Sequence, residues 1–161
     1  MLLVADSSSL ITLSVAESLH LLELLYGEVK VPLSVYNEVT PKSKPESAVL
    51  DKYLQDKTIE VSLDEVVITD YSLGSGEIEA MILYKRLKAD LLLIDDKRAR
   101  KIAGLNDIKT IGSLGVLMEA KERKMIYEIR PALLKIYKSD IYISSELYNY
   151  VLIKSGEKPL F

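Results

Sequence analysis

The chain has 161 residues, 48% of them hydrophobic and 28% charged, which suits one soluble globular domain with a sizeable core. It has no cysteine, which excludes disulfides, thiolate catalysis and thiolate metal sites, and its one histidine, His20, excludes any site built on two imidazoles. The net charge of −3 is not that of a typical nucleic-acid binder, although an acidic metal site lowers net charge and leaves basic patches free to occur elsewhere.

No stretch of about 18 uncharged apolar residues is present, so no membrane span is expected. Asp6 follows a short run of apolar or small residues, unlike a signal peptide, and the expectation is a cytoplasmic protein.

Leu2-Leu3-Val4-Ala5 reads as a buried strand, and Asp6-Ser7-Ser8-Ser9 as a turn into a helix, with one of these residues capping it and the others left free. Apolar side chains at helical spacing then run from about Leu10 to Tyr26, closed by Gly27, with His20 as a structural helix residue. Val29 to Pro32 is a short strand ending at a proline. Leu33 to Thr40 is a second helical segment, with Ser34 as a candidate cap, Val35 and Val39 on one face and Glu38 on a neighbouring one.

Pro41 to Pro45 is a loop. Glu46 to Lys57 is an amphipathic helix whose buried stripe is Val49, Leu50, Tyr53 and Leu54, and Thr58 to Val61 is a third strand. Asp70 to Glu77 is a glycine-bearing loop feeding a helix from about Gly76 to Lys88. Gly74-Ser75-Gly76 lacks the lysine and the glycine spacing of a phosphate loop and reads as helix-entry geometry. Glu77 and Glu79 stand in the first turn, where the helix dipole favours negative charge, and point about 200° apart around the axis.

Leu91-Leu92-Leu93-Ile94 is wholly apolar, as expected of a central parallel strand buried on both faces, and it runs directly into Asp95 and Asp96. The helix that follows carries Lys97, Arg98, Arg100 and Lys101 and ends near Gly104. Lys109 to Gly112 is a short strand and Ser113 to Lys124 a helix. Helical pattern resumes after Glu128, with Pro131 near a helix start, and Ile141 to Ser155 forms a last segment carrying Tyr142, Tyr148 and Tyr150. About five strands alternating with helices predict an α/β fold: a parallel sheet flanked by helices, with a helical C-terminal extension.

Open α/β sheets place their ligands at the carboxyl ends of their strands. Acids expected there are Asp6, the Asp95–Asp96 pair and one of Glu77 or Glu79, with Glu38 as a fourth candidate on an early helix. Oxygen ligands without histidine or cysteine suit a hard cation, Mg²⁺ or Mn²⁺. Such metals activate water and neutralise phosphoryl charge, which points to phosphoester hydrolysis or phosphoryl transfer. The plainer alternative is helix caps plus solvated surface acids, and a solvated helix face for Lys97, Arg98 and Arg100.

Five segments in order resemble the PIN-domain family, which includes VapC-type toxin ribonucleases, and within it a little-characterised prokaryotic branch. They are Val4-Ala5-Asp6-Ser7-Ser8, Val31-Pro32 through Val35-Tyr36-Asn37-Glu38-Val39, Leu73-Gly74-Ser75-Gly76-Glu77-Ile78-Glu79-Ala80, Leu93 to Arg100, and Ile111 to Leu117. They cover residues 1 to about 125, and the stretch from Tyr142 to Glu157 resembles the same branch.

The resemblance implies a three-layer PIN-like domain over 1–125, with an extension over 126–161 packed on it. Carried over by position, Asp6 is the first metal ligand, Glu38 the second acid and Asp96 the aspartate after the fourth strand, with Asp95 beside it. Glu77 and Glu79 bracket the place where the family has a single aspartate, and both stay candidates; Glu79 joins Asp6, Asp95 and Asp96 as an expected metal ligand. Ser7, Ser8, Lys97, Arg98 and Arg100 are expected to contact nucleic acid, chiefly its phosphates. The implied activity is Mg²⁺- or Mn²⁺-dependent cleavage of RNA, with a cognate antitoxin if the protein is a toxin, and pairing into a homodimer. The rival is a PIN-like module that binds RNA or protein without cutting. A haloacid-dehalogenase-type phosphatase would need an aspartate where Ser8 stands, and a phosphoreceiver domain would carry its acidic pair after the first strand.

Overall fold

Leu3, Val4 and Ala5 are wholly buried because the strand they form, β1 (Leu2–Ala5), is the middle strand of a five-stranded parallel sheet. The structure is a computed structural model, and it describes residues 1–64 and 72–161. Asp70 and Tyr71, at the start of the expected glycine-bearing loop, lie outside the described residues. On one side of β1 lie β2 (Glu28–Pro32) and β3 (Thr58–Ile59), and on the other β4 (Leu91–Leu93) and β5 (Thr110–Ile111), in the order β3-β2-β1-β4-β5. Every pairing is parallel, with Leu3 opposite Val29 and Ala5 opposite Leu93.

The expected central strand, β4, is therefore next to the centre. Its two buried faces are as predicted: Leu93 joins one side of the core, Leu92 and Ile94 the other. The chain first winds from β1 towards β3 and then crosses back to β4, so the switch in winding direction falls between β1 and β4. That is where open α/β sheets form a crevice at their carboxyl edge. Asp6 follows β1, and Asp95 and Asp96 follow β4, so the sheet brings these acids to one edge.

Helices α1 (Ser7–Val15), α2 (His20–Tyr26), α3 (Leu33–Val39), α4 (Ser47–Leu54) and α7 (Ser113–Glu122) pack in the larger part of the core. α5 (Ser75–Leu87) and α6 (Lys97–Leu105) cover the opposite face through Met81, Ile82, Leu83, Ile102 and Ala103. The result is the three-layer α/β/α arrangement expected from the alternation of strands and helices.

Three sequence expectations change. The single helix expected over Leu10–Tyr26 is two helices bent by 113°, because Glu17 takes a left-handed backbone (φ 52°) and Ser18 N–H turns back to Leu13 O at 2.8 Å. The turn lets Leu21, Leu22 and Leu25 reach the same core as Leu10 and Leu13, and Gly27, at φ 87°, closes α2 as expected. Val49 is 56% exposed rather than part of the buried stripe, and Ser47 is buried in its neighbourhood of α4 instead. Ser34 makes no cap hydrogen bond: α3 starts after Pro32, whose fixed φ of −66° suits a helix entry. No single helix among the described residues is long and apolar enough to cross a membrane.

The C-terminal helices α8 (Arg130–Tyr137) and α9 (Ser145–Lys154) add Leu133, Ile136, Tyr148, Val151 and Leu152 to the larger core. Glu157 ties this segment down. Its carboxylate accepts from Lys121 Nζ and Ile129 N, each at 2.7 Å, and from Arg130 N at 3.2 Å. Burial pushes the Glu157 carboxyl up, but these three donors together outweigh it and hold it below the usual glutamate range. Glu157→Ala is expected to cost about 2 kcal/mol, the scale of a charged hydrogen-bonded group removed with its donors left behind, read as a lower urea midpoint with unchanged slope. A variant as stable as the parent would show that the clip contributes nothing.

Candidate active site

Asp6 follows β1 and caps α1, and it is only 3% exposed. Its Oδ1 accepts from Ser7 N at 2.5 Å and lies 3.2 Å from Ser7 Oγ, while Oδ2 accepts from Ser8 Oγ at 3.1 Å. Burial raises its pKa from 3.8 to about 6, the hydrogen bonds from Ser7 and Ser8 oppose that rise, and the carboxylate of Glu77 adds to it. A buried carboxylate with high proton affinity is one that gains when a cation replaces the proton.

Glu38 reaches the same point from α3. The Ser7 hydroxyl donates to Glu38 Oε2 at 2.6 Å and also lies 3.2 Å from Asp6 Oδ1, so one serine joins the two carboxylates. The start of α5 closes against them: a Cβ on Gly76 would stand 2.8 Å from Glu38 Oε1. Gly76 is therefore a spacer that admits the Glu38 carboxylate, and its backbone needs no unusual conformation for that.

Of the two acids left open by sequence, Glu77 acts on Asp6. Its carboxylate turns back to accept the Gly74 N–H at 3.1 Å. Glu79 is half-buried on the next turn face of α5 and has no hydrogen bond among the described residues.

Asp95 and Asp96 are at the same sheet edge but in different surroundings. Asp95 faces α7, where both its oxygens accept from Ser113, N–H and hydroxyl each at 2.7 Å. Asp96 caps α6 through Oδ1 and the Ala99 N–H at 2.8 Å, leaving Oδ2 without a hydrogen bond to a described residue. Lys97, Arg98, Arg100 and Lys101 follow along α6, all exposed, and none makes an ion pair with a described residue.

From Ser8, Asp95 and Asp96 a cleft of about 1000 Å³ opens, with Lys97 and Arg100 on one wall and Tyr142, Leu147 and Tyr150 of the C-terminal segment on the other. Sequence reasoning missed that wall, since the C-terminal residues lie far along the chain from the acids. It also missed the spacer role of Gly76, for which Gly74-Ser75-Gly76 gave only a sign of special geometry.

The set is oxygen-only, as hard cations require. Asp6 and Glu38 fit one side of such an ion and Glu77 is the acid whose charge also bears on Asp6, whereas each Asp95 oxygen already accepts one hydrogen bond from Ser113. Among the described residues no three carboxylates converge on one point, so completing a coordination sphere needs a turn of Glu77 or Asp96, or waters, which Mg²⁺ commonly retains.

No curated protein and no solved structure matches this chain. A family model described as a PIN domain matches residues 2–157, taking in both the sheet with its acidic edge and the C-terminal helices. PIN domains have a nuclease-type fold and usually use divalent metal ions. With this fold and nearly the whole length matched, the chain belongs to the PIN-domain family.

Proposed function

We propose that this protein is a divalent-metal-dependent nuclease acting in the cytoplasm on single-stranded RNA, with its reacting centre where Asp6, Ser7 and Glu38 meet. The observation that carries the reading is the buried, proton-avid Asp6, joined to Glu38 through one serine hydroxyl at the switch point of the sheet. Asp6 and Glu38 would hold Mg²⁺ or Mn²⁺, with Glu77 or Asp96 turning to complete the set. The bound ion would supply an activated water and offset charge on the phosphodiester.

This chain's own residues do the rest. Ser7 and Ser8 fix the orientation of the Asp6 carboxylate. Ser113 holds Asp95, which fastens the end of β4 to the start of α7 and thereby sets where Asp96 and α6 lie. Lys97, Arg98 and Arg100 line up phosphates without reading base sequence.

The direct test is cleavage of labelled single-stranded RNA with Mg²⁺, with Mn²⁺ and with chelator, by the parent chain, Asp6→Asn and Asp96→Asn. Metal-dependent cleavage lost in Asp6→Asn is expected, with a smaller loss, about tenfold, in Asp96→Asn. No cleavage by the parent chain, or cleavage by both variants as fast as the parent's, overturns the reading. A second reading, an RNA-binding module that does not cut, is favoured by one observation: the described carboxylates do not converge as a group of three. RNA binding that persists with no cleavage in any metal would establish it. A toxin role adds a cognate antitoxin and a homodimer; the product of a neighbouring reading frame co-purifying with this chain and blocking cleavage tests the first, sedimentation the second.

A further inference from the structure

We propose that Tyr142 and Tyr150, on the C-terminal segment, form a base-stacking wall for a single nucleic-acid strand, and that Lys97 and Arg100 on the facing wall hold its phosphates as it passes to Ser8 and Asp96. The inference rests on the nucleic-acid reading of the site and deepens it.

Both tyrosines border the cleft that begins at Ser8, Asp95 and Asp96. Tyr142 is 88% exposed and Tyr150 55% exposed, so neither ring is fixed in place by the core, unlike Tyr148, which is buried against Tyr137 and Phe161. Scattered exposed aromatics are ordinary. These two differ because they share one cleft with Lys97 and Arg100, and neither cation makes an ion pair with a described residue. Aromatic rings beside a cationic track are how proteins hold single strands, since every base has a π-face and every linkage a negative charge.

On the α6 wall Lys97 and Arg100 give a polyanion two opposite charges to meet, beside the acids Asp95 and Asp96 that a bound divalent ion would offset.

The test measures binding of a labelled single-stranded RNA 12-mer, and the matching DNA, by fluorescence anisotropy in chelator, where nothing is cut. Tyr142→Ala and Tyr150→Ala are each expected to weaken binding about tenfold. Tyr142→Phe and Tyr150→Phe should bind like the parent chain, and so should Tyr127→Ala, an exposed tyrosine outside the cleft. A strand carrying 2-aminopurine should lose fluorescence on binding the parent chain and the Phe variants, and keep it with the double Ala variant. Circular dichroism and urea midpoints equal to the parent's show that the variants fold.

Ala variants that bind RNA as tightly as the parent chain overturn the proposal. So does a parent dimer that the double Ala variant splits while RNA affinity stays unchanged. If the strand binds and stacks but no metal supports cleavage, the nuclease reading falls and the stacking wall stands. If cleavage occurs and the tyrosines prove neutral, the reverse holds. A preference for RNA over DNA would come from contacts to the 2′-hydroxyl.

Discussion

Asp6→Asn is expected to abolish cleavage and, in chelator at neutral pH, to make the protein more stable than its parent. Both effects have one cause: the carboxylate is buried, and its pKa rises from 3.8 to about 6 because water is excluded from it, with Glu77 adding repulsion. Between those two values the folded chain holds a proton that the unfolded chain has released. Stability from this group is therefore complete below 3.8 and declines as pH climbs to about 6, a loss of at most about 3 kcal/mol for a shift of about two units. Asn carries no charge there and shows no such decline, and the Ser8 hydroxyl that donates to Asp6 can rotate to accept from its amide.

Urea midpoints at pH 4, 5, 6.5 and 7.5 should thus diverge, with the variant gaining on the parent as pH rises. Adding Mg²⁺ should close the gap by stabilising the parent alone, since a cation that binds only the folded site lends its binding free energy to folding. A gap that stays flat across pH would mean that the charge is not costly where it sits, and Asp6→Asn with parental cleavage would remove Asp6 from the reaction. A gain in stability together with a loss of activity is the pattern of a residue retained for chemistry at the expense of the fold.

What the sequence made legible follows from how local each signal is. Leu2 to Ala5 and Leu91 to Ile94 announce buried parallel strands through continuous apolar runs, Val29 to Pro32 announces one through alternation around Lys30, and Gly27 and Pro131 mark helix ends by backbone chemistry alone. Asp6 and Asp95–Asp96 were legible because each directly follows such a run. The bend at Glu17 was not, since Leu10 to Tyr26 is apolar on most sides and periodicity cannot register a turn between two equally apolar helices. Nor could spacing tell that Asp95 belongs to Ser113, 18 residues on, or that Glu77 rather than Glu79 acts on Asp6. Both depend on how α5 and α7 dock on the sheet, which is a tertiary fact. The cleft is the extreme case, joining α6 to a segment that starts some forty residues later.

Gly76→Ala is the sharper probe of the Asp6–Glu38 pair, because it should separate folding from function. Its Cβ would come 2.8 Å from Glu38 Oε1 and 3.4 Å from Cδ, closer than a carboxylate can tolerate. The obstacle is the tip of an exposed, flexible side chain, so the clash is relieved when Glu38 swings away, at little cost to the fold. Alanine in the first turn of α5 also narrows the unfolded ensemble and suits a helix better than glycine, by up to about 1 kcal/mol. The variant should therefore melt at or slightly above the parent's temperature. What it loses is the Glu38 carboxylate held at 2.6 Å by the Ser7 hydroxyl. Displacing a reacting group by about 1 Å can cost about a hundredfold in rate, and cleavage should fall by that order while strand affinity in chelator is unchanged. Gly74→Ala is the control: its Cβ meets only Glu77 Oε2, at an ordinary 3.8 Å, and its backbone already lies where alanine is comfortable, at φ −65°. Glu38→Gln should reproduce the loss seen in Gly76→Ala, and combining the two should add little, because both remove the same carboxylate from the same place. If Gly76→Ala cleaves like the parent chain, the position of Glu38 against α5 plays no part in the reaction, and the acid pair on which the nuclease reading stands loses its second member.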